Sequence, residues 1–406
     1  MVYPIGLSPN IEREDVLTAL AVLFAPRTWF QENGIKEVSS WFHKTFSTPH
    51  ICFFTTGRSA LTMLLQSMDI GSGDEVIVQA FTCMVVPNAI RFAGATPVFV
   101  DVDNSANCDP HDIERKITPH TKAIIVQHTF GTPADMDRIV HIAKKHAIMV
   151  IEDCAHALGA TYKGSPVGSL GDAAFFSFGR DKSISSVFGG AVIVKQEELA
   201  RRLRTLEWST VNPSKCWIIQ QLLHPIVTWI VLPMYASLVG KGMLVMFQTL
   251  HLLSFPVNSS EKRGEKPKQY VMRYPNALAL LLITQIKKLD RYIKNRRETA
   301  SLYTKAFKNT AAIRILDTRE GSSRLRFGIQ VKNQSDVLQY AKDNGVVLGN
   351  WYHAVIDPAG SDWTIAGYKK GSCKNAERIA REIINLPTRI SNTDAREIIS
   401  LIKTAA

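Results

Sequence analysis

Three short stretches of the chain carry residue types that could do chemistry together. Lys182 follows Gly179-Arg180-Asp181, stands five residues after Ser177 and precedes Gly189-Gly190. Asp153 opens the run Asp153-Cys154-Ala155-His156, and Gly57-Arg58-Ser59 lies in the turn TTGRSALTMLL. A lysine amine can form a Schiff base with a carbonyl. A carboxylate at the end of an apolar run is costly to bury unless it meets a cation or strong donor. A Gly-containing turn that opens a helix offers free N–H groups and a positive dipole end to a phosphate. Taken singly, each has a plainer reading. Lys182 reads as a solvated surface charge, Asp153 as a helix cap or internal salt-bridge partner, His156 as a satisfied semi-buried histidine, and the glycine turn as an ordinary strand-to-helix connection.

The elements around these residues bring them together. HICFF (50–54), EVIVQ (75–79), TPVFV (96–100), KAIIVQ (122–127), AIMVIE (147–152), AAFFSF (173–178) and GAVIV (190–194) are nearly continuous apolar runs. That pattern predicts strands covered on both faces, and the stretches 59–68 and 134–146 have helical spacing. The expected architecture is α/β, with a mainly parallel sheet between helix layers. Chemistry in such a sheet collects beyond the carboxyl ends of the strands, where all three stretches fall. An anion cradle, a carboxylate for a cationic ring nitrogen and an amine are together what pyridoxal phosphate requires.

The chain also resembles the DegT/DnrJ/EryC1/StrS sugar aminotransferases, within fold type I of the pyridoxal phosphate enzymes. The resembling text is TTGRSALTMLL, GSGDEVIVQAFTCMVVPNAIRFAGATPVFVDVD, ITPHTKAIIVQHTFGTPADMDRI, VIEDCAHALGATYKGSPVGSLGDAAFFSFGRDK and GGAVIV, with ITQIKKLDRYIKNRRETASLY (283–303) similar to the family's long connecting helix. The resemblance implies that Lys182 forms the Schiff base and moves a proton, that Asp153 pairs with the ring nitrogen, and that His156 faces the phenolic oxygen. It implies that Ser177 and the Gly57-Arg58-Ser59 turn hold the phosphate. Three positions depart from the family pattern: Arg58 replaces a Thr, Cys83 stands where an aromatic residue stacks on the cofactor, and Val271 replaces an Asn that reaches the partner subunit. The Arg58 guanidinium is expected to bind phosphate in the Thr's place.

Length and composition allow all of this. The chain has 406 residues with 46% hydrophobic and 21% charged, which is globular and excludes disordered, collagen-like and mucin-like classes. Six scattered cysteines make no disulfide framework and no zinc pair, so no metal is expected and the compartment is read as reducing. MVYPIGLSPNIERED carries charges where a signal peptide needs its apolar region, which predicts retention in the cytoplasm. The expected organisation is a large domain over 1–215, an apolar insertion over 216–260, a basic connecting region over 261–300 and a small α+β domain over 301–406. In the last, RLRFGIQV and GVVLG read as strands, VLQYAKDNG and NAERIAREIINL as helices, and Trp351, Tyr352 and His353 as substrate-contact candidates or core.

The net charge is +12, and from Glu261 to Arg297 eleven Lys/Arg face three Asp/Glu. That block lacks a nucleic-acid motif and adjoins the uncharged stretch 217–240, so anionic lipid is the preferred partner and nucleic acid is not expected. A single membrane crossing is excluded, because Lys182 and the small domain must meet in one pocket. The insertion is expected to lie in the membrane interface or to pack as a dimer or lid element. The implied reaction moves an amino group from an amino acid (glutamate or glutamine) to a keto sugar carried on a nucleotide, in a homodimer. Two alternatives stand beside it: a lipid-linked sugar substrate, and a catalytically silent relative that binds or regulates. Lys182 favours transfer, since related dehydratases carry histidine there.

Overall fold

A computed structural model describes residues 10–48, 50–234, 238–250 and 252–406 of the chain. The first nine residues of the stretch read for a signal peptide lie outside the described residues, as do 235–237 of the apolar stretch, while the charges of that reading, Glu12 to Asp15, lie within them. All seven expected strands of the first half form: β1 (Ile51–Phe54), β2 (Glu75–Gln79), β3 (Thr96–Val100), β4 (Thr121–Gln127), β5 (Met149–Asp153), β6 (Ala173–Ser177) and β7 (Gly190–Val194). They make one sheet in the order β1-β7-β6-β5-β4-β2-β3. The pairs from β6 through β3 are parallel, whereas β7 runs antiparallel to both β6 and β1.

The continuous apolar runs are explained by burial on both faces. One face packs Phe54, Val78, Ile125, Phe175 and Val192 under the helix Gly57–Ser67, itself almost wholly buried. The other packs Phe53, Phe176 and Ile193 against Phe42 and Phe46 of the helix Asn33–Phe46 and against the helix Asn276–Ile286. Gly190 is required where β7 meets the turn before Gly57. A Cβ there would lie 2.4 Å from the backbone C and O of Thr56 and 2.5 Å from Gly57 N. Gly190→Ala is therefore expected to cost on the order of 1–3 kcal/mol of stability. It should also loosen cofactor binding, read by thermal unfolding and by cofactor titration; an unchanged Tm would contradict the close approach.

The carboxyl-terminal part has its own three-stranded antiparallel sheet, Arg314–Ile315, Arg326–Gln330 and Ile383–Pro387. Its core gathers Tyr303, Phe307, Phe327, Ile384, Leu386 and Ile398. Three details correct the sequence reading. NAERIAREIINL is helical only over Lys374–Glu382, and its last residues become the strand Ile383–Pro387. GVVLG forms no strand; only Gly349 pairs, with Asn385. The stretch 283–303 is not one helix, because a turn at Lys287 and Lys288 separates Asn276–Ile286 from Leu289–Phe307. A parallel two-residue ladder, Thr82–Cys83 with Ile356–Asp357, ties the segment around Trp351 to the chain just after β2.

The apolar insertion folds as two helices, Lys215–Val231 and Leu238–Thr249. The stretch Lys215–Met234 is long and apolar enough to cross a membrane, yet 44% of its most apolar window is buried inside the protein. The basic block also divides. Lys288 bonds Asp15 at 2.6 Å, Arg291 bonds Glu12 at 2.6 Å, and Arg296 is buried on Asn10 and the Ser183 carbonyl. Much of its second half is thus engaged in internal contacts with the first helix and its approach.

Candidate active site

A cavity of about 380 Å³ opens at the carboxyl ends of β5 and β6. Gly57, Arg58, Cys83, Asp153, His156, Ser177 and Lys182 all line it. Ser59 does not: it is fully buried, its N–H donates to Thr56 Oγ1 at 3.1 Å, and its hydroxyl is held by Thr56. Thr56 is thereby the N-cap of the helix Gly57–Ser67. The N–H groups of Gly57 and Arg58 belong to the first turn, where no intrahelical acceptor exists. Gly57 lies close against Ser177, whose Cβ would be 3.0 Å from a Cβ at Gly57.

The Arg58 guanidinium has another use than the expected one. Its Nε pairs with Glu261 at 2.7 Å and its Nη1 donates to the Pro256 carbonyl at 2.8 Å. It fastens the end of the insertion to the rim of the cavity, leaving anion binding to the backbone. Arg180 does the same, donating to the Ser254 carbonyl at 2.6 Å and to the Ser254 hydroxyl. That hydroxyl in turn donates to Gln221 at 2.7 Å.

The electrostatics turn on two adjacent carboxylates at the end of β5. Successive strand residues face opposite ways. Glu152 accepts from the N–H groups of Gly168, Leu170 and Gly171 and from His128 Nε2. Burial works against its ionisation, but His128 and these N–H groups outweigh it and hold the carboxyl below its ordinary value. Because His128 Nδ1 accepts from the Ala134 N–H at 3.0 Å, the ring is a donor at Nε2. The His128, Glu152 and Cys154 cluster is therefore a hydrogen-bonded brace in which the imidazole and the carboxylate are already engaged.

Asp153 faces the cavity with one side-chain hydrogen bond among the described residues, from the Ala155 N–H at 3.0 Å. Burial pushes its carboxyl up to about 6, against the lowering pull of that N–H and of Lys182. Its charge is under-compensated by the protein and suits a cationic ligand. His156 is held well below its ordinary value by burial, so it is a neutral imidazole; its buried Nδ1 has no partner among the described residues. It stacks on Phe130 and on Tyr352, with centroids 6.0 and 6.2 Å apart. Cys83 is a neutral thiol, pushed up to about 11 by burial.

Several lining residues had not been singled out from sequence. Asp181 Oδ2 is 3.6 Å from Lys182 Nζ and 3.7 Å from the buried Arg326 guanidinium. That guanidinium lies 3.6 Å from the centroid of the Trp351 ring, and Lys182 Nζ lies 5.9 Å from it. Gln127 was findable by the strand-end rule, since it closes β4. Of the aromatic candidates, Trp351 and Tyr352 line the cavity, while His353 instead holds Asp357. The Asn-to-Val departure places Val271 against the chain's own core.

The turn crowded by Gly57 and Gly190, the under-compensated buried carboxylate and the amine in one cavity fit a pyridine ring bearing a phosphate and a carbonyl. These features define a pyridoxal-phosphate enzyme of fold type I. The model of the DegT/DnrJ/EryC1/StrS aminotransferase family matches residues 11–220 and 246–403, and the chain belongs to that family, with pyridoxal phosphate as cofactor. It is 31% identical over 345 residues to the "Pleiotropic regulatory protein" of Geobacillus stearothermophilus, covering 82% of this chain and 77% of that one. It is 40% identical over 191 residues to the GDP-perosamine synthase of Caulobacter vibrioides, covering 46% of this chain and 52% of the relative. Among solved structures, DesV of S. venezuelae superposes with a TM-score of 0.75 at 24% identity, covering 97% of this chain and 94% of DesV. The PLP form of Streptococcus pneumoniae Spr1654 gives 0.76 at 22%, covering 98% and 97%. These last two likenesses show the fold.

Proposed function

We propose that the protein transfers an amino group from an amino acid, glutamate or glutamine, to the keto carbon of a nucleotide-linked sugar, as a cytoplasmic homodimer. The observation that carries this reading is the pair of carboxylates on β5: Glu152 is saturated with donors, and Asp153 is left for a cation beside Lys182. The family and the activities named for relatives, such as GDP-perosamine synthase, support a sugar acceptor. The six cysteines are free, which suits a reducing compartment.

When bound, pyridoxal phosphate supplies an electron sink for the carbon that loses its proton. Asp153 would keep the ring nitrogen charged. Lys182 Nζ would take up and return the proton, with the Asp181 carboxyl group 3.6 Å from that amine. The N–H groups of Gly57 and Arg58, with the Ser177 hydroxyl, would hold the phosphate, and neutral His156 would serve the phenolic oxygen. A lipid-linked acceptor is the second reading, favoured by the apolar residues Val86, Phe188, Phe255, Pro256 and Val257 around the cavity.

The test is the visible absorption spectrum of cofactor-loaded protein before and after adding glutamate or glutamine. Bleaching of the band with release of the matching keto acid is expected. A spectrum that no amino acid changes would favour the silent binding or regulatory alternative.

A further inference from the structure

The insertion presents several apolar side chains to solvent on two neighbouring helices. On the helix Lys215–Val231, the inner face buries Ile218, Leu222, Pro225 and Val231. The opposite stripe at helical spacing should be polar in a water-facing helix. Here it reads Ile219, Leu223, Ile226 and Ile230; Ile219 and Ile230 are 37% and 53% exposed, Leu223 is half-buried and Ile226 packs partly against the core. The helix Leu238–Thr249 packs on the first through Met243, Leu244 and Phe247, and turns outward Val245 at 60% and Met246 at 47%. Leu250 and Phe255, after its end, are 59% and 51% exposed. Residues 221–245, the heart of this element, are the stretch the family model leaves unmatched.

The charge carried by this segment has one sign. From Lys215 to Ser260 there is no Asp or Glu, and of the two acids before Tyr274, Glu261 is buried on Arg58 and Glu265 pairs with Arg263. Lys215, Lys266 and Lys268 are exposed. A two-fold dimer would set this acid-free surface against its own copy, like charge facing like. An anionic bilayer complements both properties at once.

We propose that the helical hairpin 215–250 docks the protein on anionic membrane, lying in the headgroup region and not crossing it. A single crossing is incompatible with the cavity, which Lys182 before the hairpin and Trp351 after it line together, and the second helix, at 12 residues, is too short to return across a bilayer. The apolar stripe supplies buried area, and the flanking lysines add attraction that salt screens. Through Arg180, Ser254 and Gln221 the hairpin is tied to the cavity rim, so docking sets the active site beside the bilayer.

The test is flotation of the full-length, cofactor-loaded protein with vesicles of equal phosphatidylcholine and phosphatidylglycerol, and with phosphatidylcholine alone. Flotation with the anionic vesicles at low salt, weakening at high salt, is expected. Ile230→Asn with Met246→Gln, both at exposed positions, should abolish it, and Lys266→Ala with Lys268→Ala should weaken it about fivefold per charge. Protein that stays in the dense fraction at low salt overturns the proposal, as does flotation unchanged by the apolar pair. Light scattering of that pair supplies the remaining arm: a fall from dimer to monomer would make the surface a contact between copies and overturn membrane docking. Amine transfer to a soluble nucleotide sugar is measured on the same samples, so loss of docking is read separately from loss of catalysis.

Discussion

Lys182→Ala is expected to reduce amine transfer by about 10²–10⁴-fold or more, on the order of the loss of proton transfer alone. The amine has no substitute among the described residues of the cavity wall. The other cations there, Arg58, Arg180 and Lys262, are tied to Glu261, Pro256, Ser254 and Ala359. Lys182→Arg separates charge from chemistry: it keeps a cation near Asp181 but cannot give up a proton at working pH. Both variants should still bind cofactor through the phosphate turn and Asp153, yet borohydride should leave no covalent adduct. Turnover within about tenfold of wild type in either variant, or a borohydride adduct on another lysine in the unaltered protein, would remove Lys182 from the role.

The central sheet was legible because its strands are buried on both faces, which leaves no polar interruption in the sequence. In β4, for example, Ala123, Ile124, Ile125 and Val126 are all buried. The strand Ile383–Pro387 was hidden because its apolar residues continue the amphipathic pattern of the helix before it. At the site, the strand-end rule found Asp153, Ser177 and Lys182, whose places depend on local chain direction. It could not find Trp351 or Arg326, which reach the cavity region through the two-residue ladder between Cys83 and Asp357 and through the small sheet. Nor could it foresee that Arg58 would commit its guanidinium to Glu261, a pairing that depends on the whole intervening fold. The internal pairing of the second half of the basic block was hidden for the same reason, since Lys288 and Arg291 answer Glu12 and Asp15 near the start of the chain.

Asp153→Asn is expected to move activity and stability in opposite directions. Transfer should fall on the order of 10²–10³-fold, because an amide cannot keep the ring nitrogen charged. In protein stripped of cofactor, the folded-state value of about 6 lies above the unfolded value of about 3.9, so the folded chain binds the proton more tightly. Stability contributed by that proton is complete below about pH 4 and lost as pH rises to about 6, at roughly 1.4 kcal/mol per unit, or about 3 kcal/mol in all. Asparagine does not titrate. The stripped variant should therefore unfold at a higher temperature than stripped wild type at about pH 7, with the difference closing towards about pH 4. A residue that merely supported the fold would lose both activity and stability on substitution, so an equal or lower Tm of the stripped variant at about pH 7 would assign Asp153 a structural part. A gain in stability that accompanies lost transfer is the signature of a charge that the protein holds, against its own preference, for the cofactor.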